Sequence, residues 1–383
     1  MATNTLTPLI PAFIGNFVDV LREFTPLNTV STGFGEQSVP LNGTVLIPDS
    51  APVVGQNITP GAVVSDPSGV VISSASITMT KNRKFPFAIT GDDQLRAAAH
   101  GADFKNLQIK QAVRSLINEI WADVAALHIF ASEAVGTPGT TPFGSDVSLA
   151  TKARKALQDS LAPKTDRSLI FDTNAESNIL GLPQYLNYYQ SGSDQTLQEG
   201  TVGKLLGFNP SVSSSIASSV KGTGTAYVTS GVQAAGATSV PLITGSGTVV
   251  PGDLVQFAGD TTIYVVKTGI AAPGTIVLNQ RTQDGLGLRV QIAGGAAMTI
   301  LGNAARNMAF HKSAIGLAIR PSAVPDGGDA AVDRVLISDS APGGTGLTIA
   351  VAMYKGYMQQ IFEVQATWGA AAIRPELLKL ILG

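Results

Sequence analysis

Arg306-Asn307-Met308-Ala309-Phe310-His311-Lys312-Ser313-Ala314-Ile315 is followed by Ile319-Arg320-Pro321. After a Gly-rich stretch comes Trp368-Gly369-Ala370-Ala371-Ala372-Ile373-Arg374-Pro375-Glu376. The order reads as an apolar strand, a second strand and a closing Arg-Pro-Glu turn. No nucleophile, base or metal set accompanies it, so it belongs to architecture and not to a reaction. Strands dominate this whole region, with Ala314–Ile319, Val332–Ile337, Leu347–Met353 and Gln359–Thr367 all alternating or continuously apolar.

Upstream, the texture differs. From about Gly222 to Ile300, short β-branched runs (Val249-Val250, Ile263–Val266, Ile276–Leu278, Leu288–Ile292) are separated by Pro-Gly and Asp-Gly turns. This is the spacing of a small barrel or sandwich. Because α/β-like segments flank it, residues 222–300 read as an inserted domain. Residues 146–221 alternate: a helix near Ser148–Leu161, a strand at Ser168–Phe171, then Asp172-Thr173-Asn174 capping a helix toward Leu182.

The clearest helix is expected over 102–135. Val113, Leu116, Ile117, Ile120, Trp121, Val124 and Leu127 follow the i, i+3, i+4, i+7 rule, and Gly136-Thr137-Pro138-Gly139 would stop it. At 1.5 Å per residue it would be a spine of roughly 50 Å, with Trp121 packed beneath it. Before it, residues 36–90 carry Pro40, Pro48, Pro52, Pro60, Pro67 and Pro86 between alternating runs (Val39 to Ile47, Val70 to Thr80). That pattern reads as a long two-stranded excursion made of edge strands. Lys81, Arg83 and Lys84 sit at its base, either as a solvated strand end or as contacts for acidic groups of a neighbouring subunit. Residues 1–35 read as an arm whose Leu9, Phe13, Phe17, Val20, Leu21 and Phe24 form one helical stripe ended by Pro26. A short isolated helix of this kind needs a partner surface.

At 383 residues the chain can hold two or three cores. Only 14% of residues are charged and 44% are apolar, with 41 glycines. This suits a β-rich protein with much subunit surface covered by neighbours. A net charge of −2 gives no basic footprint for specific DNA readout. There is no cysteine, hence no disulfide scaffold or thiolate metal site, which fits a reducing cytoplasm. The first cation is Arg22, and Pro8 and Pro11 break the early apolar stretch, so no signal peptide is expected. The long uncharged stretch Gly222 to Gly252 is rich in Gly, Ser and Thr, and reads as strands and turns, not as a membrane span.

No catalytic, cofactor or metal site is expected. His100, His128 and His311 lack ligand spacing, and Asp92-Asp93 precede a helical segment, where carboxylates cap. Gly200-Thr201-Val202-Gly203-Lys204-Leu205 lacks the Walker spacing and its Ser or Thr. Tyr185, Tyr188 and Tyr189 have no neighbouring cations and read as packing or interface aromatics.

Five segments in order resemble the major capsid (coat) proteins of tailed double-stranded-DNA bacteriophages, the Hong Kong-type capsid fold. They are Leu169–Asn174; Glu199-Gly200-Thr201 with Gly207-Phe208; Pro251-Gly252-Asp253-Leu254-Val255-Gln256-Phe257-Ala258-Gly259; Arg306–Ala314; and Trp368–Glu376. The subgroup they are most similar to is the short-tailed enteric phage coat proteins, which carry an inserted domain. The resemblance implies an α+β tailed-phage/herpesvirus capsid fold. Its parts would be an N-terminal arm (1–35), an E-loop (36–90), a P-domain with the spine helix (91–145), a first A-domain part (146–221), an inserted β-barrel-like domain (222–300), a second A-domain part (301–358) and a P-domain return (359–383). It also implies self-assembly into pentamers and hexamers of an icosahedral head in the host cytoplasm. Scaffolding protein, portal protein and non-specifically packaged double-stranded DNA would be partners, without a cofactor or a membrane. The insertion is shorter than the family's larger examples, and nothing supports carrying over covalent Lys–Asn crosslinks. Alternatives from the same residues are an encapsulin-like shell around protein cargo, or a β-rich binding module or hydrolase.

Overall fold

The computed structural model describes residues 26–34, 39–50, 57, 60, 72–99, 104–183, 200, 202–216, 218–338 and 346–383. The expected arm helix, the tip of the expected excursion, His100 and the three tyrosines lie outside them. The strands are β1 (Ser31–Thr32), β2 (Thr44–Ser50), β3 (Ile72–Thr78), β4 (Lys81–Thr90), β5 (Glu133–Val135), β6 (Arg167–Phe171), β7 (Asn209–Val212), β8 (Ser218–Ser219), β9 (Tyr227–Thr229) and β10 (Ser239–Ile243). They continue with β11 (Leu254–Phe257), β12 (Ile263–Thr268), β13 (Thr275–Leu278), β14 (Ala297–Ile300), β15 (Ala304–His311), β16 (Ile315–Arg320), β17 (Ala331–Ser338), β18 (Thr348–Gly356), β19 (Gln359–Ala372) and β20 (Leu378–Leu382). The helices are α1 (Gly91–Ala99), α2 (Phe104–Ala126), α3 (Ser148–Asp159) and α4 (Thr173–Gly181).

The chain forms two compact units. One comprises residues 1–45, 77–127 and 315–371; the other comprises 46–76, 128–314 and 372–383. In the first, a sheet runs β1-β16-β19-β18-β17, with β4 also on β19. β4 pairs antiparallel with β19 from Lys81↔Trp368 to Thr90↔Gln359. Among the described residues β19 is its one strand partner, which is where Pro86, having no N–H to give, can sit. Helix α2 buries Val113, Leu116, Ile117, Ile120, Trp121 and Val124 along one stripe. Each such side chain contributes on the order of 1.5–3 kcal/mol by leaving water.

The helix is shorter than the sequence suggests. It ends at Ala126, about 35 Å long, and passes through a 3₁₀ turn at Leu127–Phe130 into β5. Sheet pairing wins over helix continuation here. β5 runs parallel to β20 (Ala134↔Leu380) and antiparallel to β12 (Ala134↔Ile263), so ladder bonds from distant segments replace helical ones. The amide of Asn279 donates to the carbonyls of Ile129 and Ala131 at 2.9 and 2.8 Å, satisfying backbone groups of the 3₁₀ turn and of the residue after it.

In the second unit a long sheet continues from β7 and β6 through β15, β20 and β5 into the inserted domain. That domain is a closed six-stranded barrel. Its cycle β11-β14-β9-β10-β13-β12 is antiparallel throughout, and β11–β12 pairing closes the ring. Closure leaves no free edge, and Tyr227, Val240, Val255, Phe257, Tyr264, Val266, Ile276 and Leu278 fill the interior. β2 and β3 form a separate two-stranded ribbon.

Candidate functional site

β4 sends alternate side chains to opposite faces, and this sorts the basic cluster. Lys81 and Arg83, two residues apart, meet Glu119 and Asp123, one helical turn apart on α2. Lys81 Nζ lies 2.7 Å from Asp123 and 3.3 Å from Glu119, and Arg83 Nε donates to Glu119 at 3.1 Å. Lys84, on the other face, reaches Glu363 on β19 at 2.8 Å. The bond to Asp123 raises the Lys81 pKa above its ordinary value, and the bond to Glu363 does the same for Lys84. The three cations therefore have acidic partners within the chain, while Arg83 and Lys84 keep more than half their side-chain surface open.

Asp123 is the hub. Its second oxygen accepts the indole N–H of the fully buried Trp368 at 2.8 Å, and Lys81 lies 5.9 Å from that ring's centre. Trp121, two residues before Asp123, is buried in the same unit. Asp93 behaves as a cap. Its carboxylate accepts from the N–H and hydroxyl of Thr90, whose oxygen accepts the Asp93 N–H in return, and the Thr90 bonds hold the Asp93 pKa low.

In the second unit the sequence motifs converge. The Asp172 N–H donates to Asn307 at 2.8 Å while the Asp172 carboxylate caps α4 through Ala175. β6 and β15 pair from Ile170↔Met308 to Arg167↔His311. Ile373 and Arg374 both donate backbone N–H groups to the Ala314 carbonyl. In the barrel, Asp253 accepts from the backbone of Gly222 and Val250, fixing the domain's entrance.

A second charged network lies in this unit, and sequence reading missed it. Lys379, fully buried on β20, donates to Ser132 at 2.9 Å and Ser160 at 2.8 Å and sits 3.7 Å from Glu133. Arg289 follows, 3.8 Å from Glu133 and bonded to Asp159, which also takes Lys155 at 2.8 Å. Signs alternate from the interior to the surface. Burial pulls the Lys379 amine down to about 8, against the opposing field of Glu133. The available signal was one Lys interrupting the otherwise apolar run Leu377–Leu382.

His311 bonds Ser313 at 2.8 Å, and burial lowers its pKa. The Gly-rich loop closes on itself through Leu205 and Phe208, and Arg154 donates to the Leu206 carbonyl. Among the described residues no group of three or more His, Asp or Glu could hold a metal ion, and no described helix is long and apolar enough to cross a membrane.

No protein-family model and no curated protein matches the sequence. Solved structures do match. A chain of Mycobacterium phage Che8 superposes with a TM-score of 0.51 at 11% identity, over 94% of this chain and 91% of that one. The capsid of cyanophage P-SCSP1u gives 0.50 at 11% identity, over 92% and 86%. The likeness is one of fold: this chain has the mixed α+β architecture of phage capsid proteins, with a closed barrel inserted in it.

Proposed function

We propose that the chain is the major capsid protein of a tailed double-stranded-DNA phage, assembling with copies of itself into pentamers and hexamers of an icosahedral head. The observation that carries this reading is a capsid-protein fold matched over nearly the full length of both chains. The β2–β3 ribbon supports it. Two-stranded ribbons are marginal alone in water, and this one exposes Leu46 and Ile72, which a neighbouring copy would cover. On this reading 1–35 is the arm, 36–90 the E-loop, 91–145 the P-domain, 146–221 and 301–358 the A-domain, 222–300 the insertion and 359–383 the P-domain return. The barrel is what favours the short-tailed enteric subgroup. Scaffolding and portal proteins and packaged DNA are the implied partners.

Many modest contacts per subunit would hold such a shell, because multivalency multiplies weak interfaces. The exposed flanks of Arg83 and Lys84 are proposed to reach acidic groups of a neighbour. Replacing Arg83 and Lys84 by Gln, which keeps Lys81 on Asp123 and sets no like charges together, would then reduce particle yield more than subunit folding. Sedimentation of the purified chain across a concentration series, with negative-stain microscopy, tests the whole reading. Megadalton particles are expected, and a chain that stays monomeric at every concentration overturns it. An encapsulin-like shell is not favoured, since the neighbours described above, with TM-scores of 0.51 and 0.50, come from phages.

A further inference from the structure

Residues other than glycine rarely hold a positive φ, because the side chain crowds its own backbone. Among the described residues four large apolar side chains do so: Phe143, Leu161, Leu206 and Met358. Phe143 is compensated, being 2% exposed and edge-on to Phe171. Leu206 is partly covered in the turn that Arg154 holds. Leu161 and Met358 receive nothing comparable, at 91% and 79% exposed.

Both occupy backbone positions made for glycine. At the end of α3, the Ala162 N–H bonds the Leu157 carbonyl and the Leu161 N–H bonds that of Gln158. This double bond pattern closes a helix with a left-handed residue, most often Gly, at the place Leu161 takes with φ 58°. In the β18–β19 hairpin, Gly356 pairs with Gln359, so Tyr357 and Met358 are the whole loop. Met358 holds φ 52° at its second position, where Gly or Asn fits without strain. Tyr357 beside it is 92% exposed. Each tip thus combines backbone strain with a large apolar side chain presented to water, and the isolated chain gains from neither.

We infer that Leu161 and the Tyr357–Met358 tip are anchors that a second copy of this chain buries during assembly, an inference that rests on the capsid reading above. The charges around each tip favour a copy over another partner. Exposed Lys164 and Asp166 follow Leu161 closely in the chain, and near the other tip stand exposed Lys355 and Asp329, the latter accepting from Tyr354, three residues before Tyr357. Mixed signs suit a surface that meets another piece of the same molecule, whereas nucleic acid would need a one-signed basic stripe. Strain kept at an exposed position marks a site selected for something other than the stability of the single chain.

The test uses L161G and M358G, alone and together, with L161N and M358N as a second set, since Asn tolerates the left-handed region while removing the apolar group. Thermal melting of the unassembled subunit and particle yield by sedimentation are read side by side. The expected result is a melting temperature equal to or above wild type with particle yield down about tenfold in the double variants. Wild-type yield from the Gly and Asn double variants overturns the proposal while leaving the capsid reading intact. A subunit melting temperature that falls in both sets also overturns it, because the side chains would then serve the isolated fold. A wild-type chain that never assembles sinks the capsid reading and this inference together.

Discussion

In the unit that carries α2, Lys81, Arg83 and Lys84 meet Glu119, Asp123 and Glu363 at a surface where Arg83 and Lys84 remain mostly wet. In the other unit Lys379 and Glu133 are sealed from water 3.7 Å apart, and the Lys379 amine donates to Ser132 and Ser160. The chemistry is similar and the energetics are opposed. A wet pair gains little, because water already solvates both charges and salt screens them. A sealed pair pays a large desolvation cost, and each member then becomes indispensable to the other. Arg83 and Lys84 can be changed at little cost to folding; the buried network fixes how β5, β20 and the end of α3 meet.

The contrast is sharpest if Lys379 is truncated. Lys379→Ala would strip a partner from Glu133, Ser132 and Ser160 at once and is expected to cost about 3–5 kcal/mol in urea unfolding. A cost below about 1 kcal/mol would place Lys379 with the surface group. Trp121→Ala, which opens a cavity under α2, is expected to cost a similar 3–5 kcal/mol, and an unchanged melting temperature would deny its burial. Next comes pH. The folded value for Lys379, about 8, lies below the ordinary 10.5. Between these values the unfolded chain binds more protons, so stability is lowest below pH 8 and rises as pH climbs toward 10.5, by up to about 3 kcal/mol. Unfolding at a series of pH values, with Lys379→Met as the reference lacking this titration, should show that rise in wild type alone. Trp368→Phe removes the bond to Asp123 and should cost about 2 kcal/mol. Lys84→Ala comes last, at under about 1 kcal/mol and vanishing in high salt; a larger, salt-insensitive loss would erase the distinction between the two networks.

The barrel was legible because turns and β-branched runs are local signals: Pro251-Gly252 and the runs around Ile263 and Ile276 announce strands without knowledge of their partners. The stripe from Val113 to Val124 was equally plain. What misled was Leu127 to Val135, whose fate depends on β20, more than 240 residues later in the chain. The same distance hid the partners of the basic cluster. Lys84 and Glu363 meet only once the β4–β19 register is known, since that register sets Lys84 opposite Gln365 and leaves Glu363 on the diagonal. Lys379 escaped because polar residues in apolar runs usually face water, and β20 is covered on both faces.

The barrel begins and ends at one place: the Lys221 N–H bonds the side chain of Asn303 at 2.9 Å, and β8 lies against the first residues of β15. Its two stalks are therefore side by side, as in a cassette that slots into a single socket. A gene could acquire, lose or exchange such a cassette without rerouting the host chain, and a designer could seat a foreign module there. The stitches to re-sew would include the flank of β5 that β12 now hides and the bonds that Asn279 and Arg289 send to Ile129, Ala131, Glu133 and Asp159.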